Sequence, residues 1–175
     1  IERILREPPL AAWAEAQGFA GEAGRALIVP DAKGNIAHVI AGEDTSDAFA
    51  LGRLCRQLPG GSYSLQGAAN PRLAALAWCL EAYGFGAYGK PIPEVAKLVC
   101  PKGVDRDEVL RAARAAYLVR DLVNTPASDL GPEELEKAAR AVAKAGRAKI
   151  SVTKGAKLER QFPMIHAVGK ASPRP

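Results

Sequence analysis

The stretch Tyr117–Leu135, YLVRDLVNTPASDLGPEEL, constrains the fold most, because it ends one helix and begins another within a few residues. Proline disfavours helical backbone in the residue before it, so Pro126 predicts that the first helix ends at 124–125. The run 131–134, GPEE, predicts the start of the second helix, because proline fits the first helical position and carboxylates face the positive end of the helix dipole. A turn therefore separates two helices at this point of the chain.

Both helices have amphipathic spacing. The first is predicted over residues 105–123, about 28 Å at 1.5 Å per residue, with Asp105 as its N-cap. We expect it to bury one continuous face made of Val109, Ala112, Ala116, Val119 and Val123. The second is predicted over 132–145, and we expect it to bury Leu135, Ala138, Ala139 and Val142.

Shorter elements are predicted after the second helix. Gly146 suits the C′ position that ends it. A strand is predicted at Lys149–Thr153 and a helical turn at Lys157–Gln161. The apolar stretch 164–169 is also predicted to be extended, and the two extended runs would join a larger sheet.

Residues 1–102 have the pattern of a small α/β unit. A helix is predicted over 8–20, ending near Gly18, and Ala26–Pro30 and Ile36–Gly42 form a predicted β-hairpin around the turn cluster Asp31–Asn35. A helix over about 47–58 would be capped by Thr45 or Ser46. A strand at Ser62–Gln66 comes next.

The same unit is predicted to close with a helix and a strand. Asn70 and Pro71 begin the helix, on which Leu73, Leu76, Ala77 and Leu80 are expected to form the buried stripe. Val95–Cys100 is the predicted last strand. The resulting order, β-β-α-β-α-β, predicts a mixed α/β sandwich over residues 1–102.

Composition and charge favour a cytoplasmic protein over several other classes. No apolar run approaches the 18 residues or so of a membrane span, and Ile1–Leu10 holds two glutamates and two prolines where a signal peptide needs an apolar centre. Cys55, Cys79 and Cys100 are widely spaced, which favours single buried thiols over a disulfide framework or a zinc site.

The net charge of +5 is unevenly distributed. Residues 1–102 carry 10 basic and 10 acidic side chains, whereas residues 103–175 carry 14 and 9. Lys137, Arg140 and Lys144 share one face of the second helix. They could track nucleic-acid phosphates, but no aromatic residue lies among them and acidic residues are close, which favours a solvated face or a subunit contact.

Other motifs give only weak indications of a function. The run 84–89, GFGAYG, has the letters of a dinucleotide-binding loop, but a helix precedes it and prolines follow it, so a crossing loop is favoured. His38 and His166 are expected in apolar strands without further ligands at zinc-site spacing. Asn124, Thr125, Pro126 and Asp129 could form a polar site, although each has turn chemistry of its own.

The segment Tyr117–Leu135, followed by AVGKAS at 167–172, resembles the opening of the catalytic half of leucine (cytosol) aminopeptidases. The resemblance implies an α/β fold: a small mixed-sheet N-terminal domain (1–102), a long connecting helix (103–123) and the first βα portion of a larger catalytic domain (124–175). One departure is Gly131, where a capping threonine is common in the family; glycine is a weaker but tolerable N-cap.

The resemblance also implies a function. The intact protein would be a two-metal aminopeptidase, with zinc or manganese, that releases N-terminal amino acids from peptides as a homo-hexamer. The family's metal ligands, catalytic lysine and arginine follow the AVGKAS run, so no catalytic, cofactor-binding or metal-binding residue is expected within these 175 residues, and this chain alone is expected to be inactive. The alternative is a DNA-binding or assembly module without catalysis of its own.

Overall fold

The structure is a computed structural model that describes residues 8–42, 44, 46–47, 49–89 and 91–172. Internal contacts divide the chain into a first unit, up to Val119, and a second unit from Arg120 onward. The predicted cap Thr45 lies outside the described residues.

The first unit contains short helices and strands in the predicted β-β-α-β-α-β order. Its elements are α1 (Pro8–Ala16), β1 (Ala26–Pro30), β2 (Ile36–Ala41), α2 (Leu54–Gln57), β3 (Ser62–Tyr63), α3 (Pro71–Glu81), β4 (Lys97–Leu98) and most of α4 (Arg106–Asn124). Short 3-10 turns at Ala50–Arg53 and Ala87–Gly89 complete it. Strands β1 and β2 pair antiparallel, and β3 and β4 pair parallel, so the predicted mixed α/β class is confirmed.

The predicted hairpin forms as expected, because side chains in its turn bind the backbone. The Asp31 carboxylate accepts hydrogen bonds from the Lys33 and Asn35 amides, both at 2.8 Å, and Gly34 takes the left-handed φ of 83° that this tight turn requires. Residues Leu27 and Ile40 face each other across the strands. Together with Ala14 and Phe19 they form a small core between the hairpin and α1.

The main core lies between α2, α3 and the segment before β4. Its buried members are Leu51, Leu54, Cys55, Leu58, Ala74, Trp78 and Ala96. The Trp78 indole N–H donates to the Ala96 carbonyl at 2.8 Å, which satisfies a polar group that would otherwise be costly to bury. Burial also raises the pKa of the Cys55 thiol above its usual value.

The predicted helix over 47–58 begins later than the periodicity suggested. The backbone is a 3-10 turn at Ala50–Arg53 and becomes α-helical only at Leu54. The Ser46 hydroxyl donates to Asp44 at 2.6 Å instead of capping the helix, and the Phe49 amide donates to Asp47 at 3.0 Å. Local aspartate turns therefore compete with the first helical turn and win.

The two predicted strands of this region are shorter than expected. Only Ser62–Tyr63 and Lys97–Leu98 pair, although the patterns suggested 62–66 and 95–100. The Ala96 amide donates to the Cys55 carbonyl at 2.9 Å, so the chain there binds α2 and not a neighbouring strand. Alternation in the sequence cannot show where a partner strand ends.

Helix α3 begins as predicted, because Asn70 Oδ1 accepts a hydrogen bond from the Leu73 amide at 3.0 Å. The predicted buried stripe is largely wrong. The fully buried residues are Ala74, Ala75, Ala77 and Trp78, whereas the leucines at 73, 76 and 80 are half-buried. Small residues are buried because the 3-10 turn approaches α3 closely: a Cβ at Gly52 would lie 2.5 Å from the Ala77 carbonyl oxygen.

Helix α4 begins in the first unit, where it is fixed to α3. Asp105 Oδ1 accepts from the amides of residues 107 and 108, which confirms the predicted cap. The Arg72 guanidinium makes a two-point contact with Glu108, at 2.9 and 2.5 Å, and the Tyr117 hydroxyl donates to the Cys79 carbonyl. These contacts align α3 and α4 along their lengths.

The predicted continuous buried face of α4 is wrong toward its C-terminal end. Val109 and Ala113 are buried, but Val119 and Val123 are 59% and 77% exposed. The contacts that hold the helix to α3 and to the residues just after α3 lie at Glu108 and Tyr117, which are N-terminal to the two exposed valines.

The second unit continues with α5 (Pro132–Ala145), α6 (Ala156–Gln161) and α7 (Pro163–Gly169). The start of α5 matches the prediction: the Gly131 amide donates to Glu134 Oε2 at 2.9 Å, so the weak cap is reinforced from the first turn. At its other end the left-handed residue is Arg147, with φ of 53°, and not Gly146. The amides of 147 and 148 bind the carbonyls of 144 and 143, as in a Schellman motif.

Three other predictions for the second unit are wrong. Leu135 and Val142, expected to be buried, are each about half exposed. Residues 149–153 do not form a strand, and 163–169 is helical, so His166 lies on α7 and not in a strand. An extended apolar run becomes a strand only when another strand pairs with it, and the described part of this unit contains none.

Replacing Gly52 with alanine should destabilise the first unit by about 1–3 kcal/mol, because the new methyl group would overlap the Ala77 backbone. Urea unfolding followed by tryptophan fluorescence measures this. Gly60→Ala is the matched control, since nothing lies within 4 Å of its Cβ position. Equal midpoints for the two variants would contradict the close approach of the 3-10 turn to α3.

The Arg72–Glu108 pair should make stability depend on pH. The hydrogen bond from Arg72 is the main cause that lowers the pKa of Glu108 in the folded protein. Its contribution is therefore complete above the ordinary glutamate pKa of about 4.3 and is lost as the pH falls through the lower folded-state value.

Glu108→Gln should accordingly lower the melting temperature at pH 7, and the difference from the parent protein should shrink as the pH falls below about 4. Glu94→Gln is the control, because the Glu94 ion pair is weak. Its side chain is 78% exposed, and its nearest oxygen is 3.8 Å from Lys97 Nζ, beyond hydrogen-bond distance. A Glu108→Gln deficit that stays constant from pH 7 to pH 3 would show that the variant disturbs packing and not the ion pair.

Candidate functional site

No metal-binding group is assembled in the described part of the chain. There, no three His, Cys, Asp or Glu side chains lie close enough together to hold an ion. His38 is exposed on β2, and His166 Nδ1 on α7 lies 3.9 Å from one Glu159 oxygen. The metals implied by the resemblance find no ligand set among these residues, and we derive no reaction step through them.

The glycine-rich loop 84–89 lacks the geometry of a phosphate cradle. Helix α3 precedes it, and no helix begins between residue 91 and α4, so the loop does not lead into a helix N-terminus as a dinucleotide-binding loop does. Packing explains two of the glycines: a Cβ at Gly84 or Gly86 would lie 2.5 or 3.0 Å from the Ile92 side chain. Tyr88 has a left-handed φ of 66°.

The polar turn after α4 uses its side chains and backbone within the turn. The Thr125 hydroxyl donates to the Asp121 carbonyl at 2.7 Å, and the Pro126 carbonyl accepts from the amides of Asp129 and Leu130 at 2.9 and 3.0 Å. These bonds end one helix and lead to the next. They support the structural interpretation of this segment over a polar binding site.

The basic face of α5 is partly neutralised by its own helix. Lys137 Nζ lies 3.3 Å from Glu133, and Arg140 binds Glu136 at 2.7 Å. Lys154 also approaches Glu136, at 3.5 Å. The hydrogen bond from Arg140 is the largest cause that lowers the pKa of Glu136, which keeps that carboxylate charged. Because these cations are paired with glutamates, the surface presents less positive charge to a phosphate backbone than the number of cations suggests.

The cysteines differ from one another in environment. Cys55 is fully buried as predicted and Cys79 is half-buried, but Cys100 is exposed, so the expectation of a buried thiol is wrong there. Burial, and then the nearby Cys100 thiol, raise the pKa of Cys79. A raised pKa reduces the fraction of reactive thiolate, so neither Cys55 nor Cys79 has the character of a nucleophile.

The most unusual feature of the second unit is a set of exposed apolar side chains, which we call the apolar set. On α7, Met164, Ile165 and Val168 are 80%, 60% and 78% exposed. The other members are Val123, Leu135, Val142, Ile150, Val152 and Phe162. Single exposed apolar residues are ordinary, but so many in one short segment are typical of a surface that another part of a protein covers.

Sequence periodicity had identified several of these same residues, Leu135 and Val142 among them, as core. The periodicity places these residues on one apolar face, but the structure leaves their side chains exposed.

No described helix is both long and apolar enough to cross a membrane.

Two family models match the chain in succession. The model of the M17 aminopeptidase N-terminal domain matches residues 5–101, and that of the cytosol aminopeptidase catalytic domain matches residues 117–175. A search of curated protein sequences found no match.

Solved structures resemble the chain over nearly its whole length. The cytosol aminopeptidase of Coxiella burnetii is 38% identical over 94% of this chain, with a TM-score of 0.86. The bottromycin maturation enzyme BotP, in complex with Mn, is 25% identical over 94% of the chain, with a TM-score of 0.74. The chain spans only 37% of the first of these proteins and 40% of the second.

The resemblance suggested by Tyr117–Leu135 and the AVGKAS run is thereby confirmed. The N-terminal-domain model alone covers more than half of the 175 residues, and the catalytic-domain model begins inside α4. The chain therefore belongs to the M17 cytosol aminopeptidase family.

Proposed function

We propose that the whole protein is a metal-dependent aminopeptidase that releases N-terminal amino acids from peptides. The observation that carries this proposal is the order of the two family matches, an N-terminal domain at 5–101 followed by the beginning of a catalytic domain at 117–175. The Coxiella burnetii cytosol aminopeptidase supports it, since one structure aligns with both parts.

Within that protein, residues 1–102 would form the N-terminal domain, 103–123 the connecting helix and 124–175 the start of the catalytic domain. The two family models leave residues 102–116 unmatched, and α4 begins at Arg106 within that gap. A helix of 19 residues, about 28 Å long, is a suitable connector between two folded parts.

The catalytic metals would be two divalent ions, zinc or manganese, and BotP with its Mn supports the second choice. Bound divalent ions activate water and polarise a peptide carbonyl. We assign none of their ligands to the residues described here. We also propose that the whole enzyme is a cytoplasmic homo-hexamer.

The role of the second unit would then be to provide a packing surface. Its apolar set has the composition of a domain interior, while the N-cap and the ion pairs of α5 are formed within the unit. We propose that the remainder of the catalytic domain covers these side chains. The first unit, in contrast, has two internal cores of its own.

A polypeptide of these 175 residues should not release p-nitroaniline from leucine p-nitroanilide, whereas the whole protein should do so when supplied with zinc, manganese or magnesium. The reason is that no metal-binding group occurs among the described residues. N-acetyl-leucine p-nitroanilide serves as the control, because an aminopeptidase requires a free amino group.

Either half of this prediction can fail separately. Release by the 175-residue polypeptide that a chelator abolishes would contradict the absence of catalytic groups. A metal-loaded whole protein that cleaves neither leucyl nor other aminoacyl substrates would contradict the aminopeptidase proposal.

Hydrogen exchange should distinguish the two units. In the 175-residue polypeptide, the amides of α3 should exchange slowly, because α3 packs into the main core, while those of α5 and α7 should exchange faster. In the whole protein the amides of all three helices should exchange slowly. Equal protection of α3 and α7 in the monomeric 175-residue polypeptide would contradict a packing surface that depends on further chain.

A pair of substitutions sharpens this test. Val168→Ser should leave the stability of the 175-residue polypeptide nearly unchanged but cost about 1–3 kcal/mol in the whole protein, where the side chain would be covered. Leu54→Ala, in the main core, should destabilise both by about 2–5 kcal/mol.

DNA binding is the alternative function, and we expect it to fail a salt test. If Lys137, Arg140 and Lys144 contacted phosphates, affinity for duplex DNA would fall with salt by about 0.9 in logarithmic slope per phosphate, and reversing the three charges would flatten that slope. Because Lys137 and Arg140 are already paired with glutamates, we expect negligible binding at physiological salt, unchanged by the reversal.

Fluorescence anisotropy with the whole protein measures this binding. Reversal of Lys33, Lys97 and Lys102 is the control, since it changes the net charge equally on the first unit. DNA binding would be supported if the whole protein formed a submicromolar, salt-dependent complex with duplex DNA that was abolished by reversing the three α5 charges and not by the control reversal.

A further inference from the structure

We draw no further inference here: the strongest candidate, the exposed apolar face of α7 formed by Met164, Ile165 and Val168, belongs to the packing surface already proposed for the catalytic domain, and nothing in the structure shows what else covers it.

Discussion

The first unit depends on the way Ala96 is held between two helices. Its amide donates to the Cys55 carbonyl at 2.9 Å, its carbonyl accepts the Trp78 indole N–H at 2.8 Å, and its methyl group is buried in the main core. The amide N–H and the carbonyl would each be costly to bury without a hydrogen-bond partner. Because α2 and α3 satisfy them together, the segment that follows is placed beside β3, where the short parallel pair forms.

The N-terminal part of helix α4 is fixed to this arrangement through α3. The pairing of Arg72 with Glu108 and the bond from Tyr117 to the Cys79 carbonyl hold the part of α4 between residues 108 and 117 against α3. Beyond them Val119 and Val123 are exposed. A helix that is well packed at one end and apolar but uncovered at the other is suited to connect a finished domain to one that packs elsewhere.

The two units differ more in the burial of their apolar side chains than in their secondary structure. Each unit contains a helix with a hydrogen-bonded N-cap and ion-paired surface charges, α3 in the first and α5 in the second. Among the described residues, the clusters of buried apolar side chains lie in the first unit, whereas Met164 and Val168 of the second are about 80% exposed. The family membership gives this contrast a simple interpretation, because a domain begun here would be completed by other parts of the catalytic domain.

The sequence by itself determined the family, the order of the elements in the first unit and the starts of α3, α4 and α5. The Asp31 turn and the caps at Asn70, Asp105 and Gly131 form as predicted, because each rests on hydrogen bonds within four residues of sequence. Only the tertiary structure decided which apolar faces are buried and how long the strands are. Those outcomes depend on partners far along the chain: Gly52 against Ala77 selects alanines for the buried side of α3, and the run 149–153 pairs with no strand in the described part of the chain.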